Sequence, residues 1–131
     1  MPTLTEARKA EDLLIGALAV LTLKGVDTLR TTDKTFHDHF GKALDAFRTA
    51  GGDLAGLANS YHKDVVSNTY DELDHALIAA EQLGLVRFPN PSYSRLQITI
   101  TPRVAEKILA GWKRYRGAFD EAAEELYKAT L

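Results

Sequence analysis

Between Ser67 and Thr101 the chain passes from a helical repeat to an abrupt stop, and then to two extended stretches split by a proline-rich turn. Few architectures accept that order. Thr69 and Glu72 have the spacing of a capping box, and Leu73, Ala76, Leu77, Ala80 and Leu83 recur so as to line one face of a helix that ends at Gly84. Leu85 to Phe88 reads as a strand and Pro89-Asn90-Pro91-Ser92 as a turn. Leu96, Ile98 and Ile100 then alternate with Gln97, Thr99 and Thr101, the pattern of a half-buried second strand. A helix packed on a two-stranded hairpin is therefore expected, with one face of each on a shared core.

The flanking segments are helical. Thr3 and Glu6 fit another capping box, and the apolar run Leu13 to Leu23, interrupted by Gly16 and Thr22, widens its stripe almost to a full circle before Gly25. Such a helix must be covered on most sides. It is too short to span a bilayer, which takes about 20 apolar residues. After an extended piece around Val26 to Arg30, Phe36, Phe40, Ala43, Leu44 and Phe47 mark a second helix that follows Thr32 and ends at Gly51-Gly52. Asp53 is placed to cap a short third helix carrying Leu54, Leu57 and Ala58.

Thr101-Pro102 opens a last helix expected to run nearly to Leu131. Val104, Ile108, Trp112, Tyr115, Phe119, Ala122 and Leu126 follow the seven-residue repeat of a coiled-coil seam. Ile108, Trp112, Tyr115 and Phe119 are therefore the candidate interface of a homodimer, the alternative being that the seam packs on the first helix of its own chain.

The 131 residues suit one domain, organised as an N-terminal helix to residue 25, helices and hairpin over 32–101 and a C-terminal helix over 102–131. With 45% hydrophobic and 26% charged residues the chain has the composition of an ordinary folded domain. The absence of cysteine excludes disulfides and thiolate chemistry. Acidic Glu6, Glu11 and Asp12 stand where a secretory leader would be basic, so a cytoplasmic, non-membrane protein is expected. The net charge of −2 conceals a division: residues 87 to 116 carry seven basic side chains against Glu106 alone, while the rest of the chain is acidic. A basic block is either a solvated face or an electrostatic footprint for phosphate.

Catalytic and metal patterns are missing. There is no GxSxG, P-loop or GxGxxG. His37 and His39 are two apart and point different ways on a helix, and neither His62 nor His75 stands in a ligand motif. No enzyme, no cofactor and no metal site is expected.

Asp53-Leu54-Ala55-Gly56-Leu57-Ala58, Ser67-Asn68-Thr69-Tyr70 and Leu83-Gly84-Leu85-Val86-Arg87-Phe88 together resemble the winged helix-turn-helix regulators of the multiple-antibiotic-resistance and phenolic-acid types. The resemblance covers about residues 53–101 and implies a mainly α fold with a small two-stranded β wing and long terminal helices that join two subunits. It further implies double-stranded DNA as partner, with Ser67, Asn68, Thr69, Tyr70 and His75 at the groove or backbone and Arg87, Arg95 and Arg103 on and beside the wing. Two departures stand out. The Asn59 to Asn68 connection is longer than the family's tight turn, and the groove-reading helix carries Asp71, Glu72 and Asp74 with no Lys or Arg from Thr69 to Leu83. A dimeric DNA-binding regulator that relies on its wing is the first expectation; a winged-helix module that docks another protein on its acidic helix is the second.

Overall fold

The computed structural model describes residues 10–31, 33–67, 69–88 and 95–129, with Asp33 and Lys34 described by their backbone alone. The chain runs α1 (Glu11–Leu23), β1 (Thr28–Arg30), α2 (Asp33–Ala50), α3 (Gly52–Ala58), α4 (Asp71–Gln82), β2 (Val86–Arg87), β3 (Arg95–Ile98), α5 (Pro102–Ala110) and α6 (Arg116–Lys128). It is mainly helical with a small antiparallel sheet. The Thr3 capping box, the 89–92 turn and Asn68 lie outside the described residues.

α1 is the centre of the molecule. Every residue from Leu13 to Leu21 is buried, and α3, α4, α5 and α6 all pack against it. Its almost fully apolar circumference is thus covered by its own chain. Each fully buried leucine contributes on the order of 2 kcal/mol relative to exposure. The helix ends as expected at Gly25, whose φ of 82° is left-handed, while Val26 N–H closes back on Leu21 O at 2.9 Å.

The sheet has three strands, not two. β3 lies in the middle, with Thr28↔Gln97 and Arg30↔Arg95 on one side and Val86↔Ile98 and Arg87↔Gln97 on the other. A three-residue strand carries no periodicity of its own, so the extended piece before α2 became a strand only by pairing. Leu29, Val86, Leu96 and Ile98 point into the core.

The C-terminal helix is broken, contrary to expectation. α5 stops at Ala110, a single 3₁₀ turn covers Lys113–Tyr115, and α6 restarts at Arg116. The break has a packing cause. Trp112 and Phe119 would stand about 10 Å apart along a straight helix at 1.5 Å per residue, yet their ring centroids are 5.1 Å apart. Bending at Gly111-Trp112 folds the two rings together and lets α5 lie on α1 while α6 lies on α2. The Thr101 cap holds, accepting Val104 N–H at 3.3 Å with Pro102 behind it.

Two other expected caps are corrected. α3 begins at Gly52, one residue before Asp53, which sits in its first turn instead of capping it. α4 is preceded by Tyr70, with no side-chain cap; Glu72 reaches away from the helix start to take His62 N–H at 3.0 Å. The long 59–68 connection is also explained. Tyr61 is buried and donates its hydroxyl to Ala10 O at 2.7 Å, and Lys63 and Tyr70 form an isolated bridge that closes the loop.

Candidate functional site

Strand alternation sorts the sheet into two faces. With Leu29, Val86, Leu96 and Ile98 turned inward, Thr28, Arg30, Arg87, Arg95 and Gln97 fall on the outer face, and all three arginines are exposed. Arg30 and Arg95 are directly opposite each other across β1 and β3. Like charges in that relation destabilise a sheet. Arg87 is one diagonal step from Arg95, roughly 7–8 Å by strand geometry. Neither Arg87 nor Arg95 has an acidic partner among the described residues. The structure therefore brings Arg87 and Arg95 together and adds Arg30, which sequence reasoning missed because only the β1–β3 register reveals it. Arg103 is exposed in the first turn of α5, after the opposite end of β3, where a positive charge meets the positive end of the helix.

The residues expected at the groove fare differently. Tyr70 is buried, its ring edge-on to Phe40 at 5.8 Å and close to Gly41, so it is a core residue and not a surface contact. Its backbone N–H donates to His37 Nδ1 at 2.9 Å. That bond fixes the neutral tautomer with its proton on Nε2. Burial pushes the His37 pKa down, against the opposing pull of Asp74, Asp38 and Asp71. Ser67 and Thr69 bond each other through their hydroxyls at 2.7 Å and steady the turn before α4. His75 is exposed. The backbone N–H of His62 holds the Glu72 carboxyl below its usual range, so this acid stays charged.

Of the other histidines, His39 Nδ1 lies 3.4 Å from Glu125, well separated in role from His37. Among the described residues no group of three or more His, Asp or Glu converges on a point that would hold a metal ion.

The expected dimer seam also finds its neighbours within the chain. Phe119 and Trp112 are buried, and Phe119 packs edge-on to Phe47 at 4.9 Å and over Gly16. Ile108 and Tyr115 are half-buried against the same core.

Beside the sheet lies a cleft of about 390 Å³, lined by Thr31 after β1, Phe36 and His37 on α2, Asp74, Leu77, Ile78 and Glu81 on α4, and Phe88 after β2. It joins the ends of two strands to the acidic face of α4. Among the described residues no helix is long and apolar enough to cross a membrane. Compared with protein-family models, curated proteins and solved structures, the chain has no match.

Proposed function

We propose that this chain is a winged-helix DNA-binding regulator that meets the phosphate backbone with the outer face of its sheet and not with its acidic helix. One observation carries the reading: Arg30, Arg87 and Arg95 share one exposed face, with Arg30 and Arg95 set directly opposite each other. Like charges set opposite each other add nothing to a sheet's own stability, whereas a polyanion relieves their repulsion and gives Arg87 and Arg95 a counter-charge. Element order supports it, because a helix, a glycine stop and a hairpin stand in the order the winged-helix resemblance implies. α4 is assigned a scaffolding role here. Its exposed Asp71 and Asp74 repel phosphate, and Tyr70 is withdrawn into the core.

The test is a duplex titration across salt. Affinity should fall steeply between roughly 50 and 200 mM salt, and Arg95→Ala should lower the log–log slope by about 1 for the lost phosphate contact. Arg30→Ala should do the same, although it lies outside the hairpin. No binding to any duplex at low salt overturns the proposal.

A second reading, a protein-docking module, is favoured by a different observation. The turn before α4 holds Val65 and Val66 out at 95% and 93% exposure, ordered by Asp64, which accepts the N–H groups of Val66 and Ser67 at 2.8 and 3.2 Å. Val65→Ser/Val66→Ser should leave DNA binding untouched under the first reading and abolish partner capture under the second.

A further inference from the structure

The cleft between α4 and the end of β2 takes no part in the DNA contact proposed above, and its lining combines two chemistries. Phe36, Leu77, Ile78 and Phe88 make it apolar, and Ile78 remains 51% exposed. Asp74 and Glu81 make it anionic, and among the described residues the lining holds no Lys or Arg. Asp74, Ile78 and Glu81 are spaced four and three apart, so they run along one face of α4, with the carboxylates about 10 Å apart along the axis and the isoleucine between them.

These features select by exclusion. A duplex is repelled by the two carboxylates. A bare metal ion uses no apolar wall, and a fatty or aromatic acid meets like charge. What fits both halves is a hydrophobic body carrying a positive head. The volume of about 390 Å³ falls in the range of small-molecule sites, which are mostly apolar with a few placed polar groups. His37 adds no competing positive charge to the lining, since its Nδ1 accepts the Tyr70 N–H and its ring is therefore neutral.

We propose that this cleft binds an amphiphilic organic cation, its ammonium or amidinium head paired with one of the two carboxylates, Asp74 or Glu81, and attracted by the other, and its body seated on Phe36, Leu77, Ile78 and Phe88. The occupant bridges the ends of β1 and β2 to α2 and α4, so it ties the strands that carry Arg30 and Arg87 to the helical core. Binding stands on the cleft alone; its consequence for DNA affinity rests on the DNA reading of the sheet.

The experiment uses the full chain and three probes of one shape: 4-phenylbutylammonium, 4-phenylbutanol and 4-phenylbutyrate. Amide resonances are followed by NMR during each titration. The cation should shift Thr31, residues 74–81 and Phe88, the alcohol should bind about five- to tenfold more weakly, and the carboxylate should cause no shifts there. Asp74→Asn/Glu81→Gln, both on an exposed face, should weaken the cation by about five- to tenfold and leave the alcohol unchanged. Ile78→Lys should abolish binding by supplying the cleft with its own cation. Equal affinity for cation and alcohol, or a double variant that binds the cation like the parent, overturns the proposal. So does a basic, leucine-containing helical peptide that shifts the same resonances when phenylbutylammonium does not, because it assigns the cleft to a protein partner. A final arm adds saturating phenylbutylammonium to the duplex titration. A changed affinity supports the coupling, whereas intact ligand binding with unchanged DNA affinity overturns the coupling and leaves the site standing.

Discussion

His37 is the residue on which the placement of α4 turns. It accepts the Tyr70 N–H just ahead of that helix and stacks on the Tyr70 ring with centroids 6.3 Å apart, and a protonated imidazole can no longer accept there. Its pKa is lowered in the folded chain by burial, so the unfolded chain takes up the proton first as pH falls. The stability this residue contributes is therefore complete above its ordinary value of 6.5 and is lost as pH falls through the lower folded value. Thermal melts should decline as pH falls below 6.5, and His37→Gln, which keeps an acceptor but does not titrate, should flatten that decline. An unchanged pH profile in the variant removes His37 as its cause. None of this was legible in the sequence, where Tyr70 reads as a groove contact. The hydroxyl-rich Ser67 to Tyr70 stretch gives no local sign that its last member turns inward to Phe40.

Helices and strands follow the sequence closely wherever the signal is local. Gly25, Gly51 and Gly84 adopt positive φ at the ends of α1, α2 and α4, and the apolar spacing of α2 and α4 reappears as their buried faces, except that Leu83 falls just past the end of α4 and is exposed. What failed to be legible depends on partners distant in the chain. β1 exists because β3 pairs with it, and the break between α5 and α6 exists because Trp112 is drawn onto Phe119, although the seven-residue spacing is equally consistent with one straight helix. Two glycines at the element scale then behave oppositely. A Cβ on Gly16 of α1 would enter the Phe119 ring, so the overpacking cost of about 1–3 kcal/mol outweighs the helix-propensity gain of about 1 kcal/mol, and Gly16→Ala should destabilise by up to about 2 kcal/mol net. Gly111, at φ −71°, has its nearest contact to an added Cβ at an ordinary 3.5 Å from Ile108 O. Gly111→Ala should accordingly stabilise by about 0.4–1 kcal/mol through the unfolded state. Urea melts of the two variants should move their midpoints in opposite directions, and a common direction refutes the packing account of the α5–α6 bend.

At the scale of the whole molecule, the candidate site was half legible. Arg87 and Arg95 stand out as unexplained basic residues near a turn, but Arg30 joins them only through the three-stranded register, and the cleft draws its walls from four separate segments. The seam of α5 and α6 is where the expectation of a dimer meets the fold most directly. Phe119 is fully buried between Phe47 and Trp112, and α6 packs along both α1 and α2 of its own chain. A charge placed there is cut off from water, and losing the ring alone costs about 3–5 kcal/mol before the stranded charge is added. For a chain whose total stability is of the order of 5–15 kcal/mol, Phe119→Glu should abolish the cooperative fold. It should not release a folded monomer. Glu121→Ala, on the exposed side of α6, should change stability by less than about 0.5 kcal/mol. Circular dichroism and light scattering on the same samples separate the alternatives, because loss of helicity in Phe119→Glu places the seam in the core of one chain. A well-folded Phe119→Glu variant at half the parent's mass would instead place it between two subunits, and would require α6 to leave α1 and α2 for the partner copy.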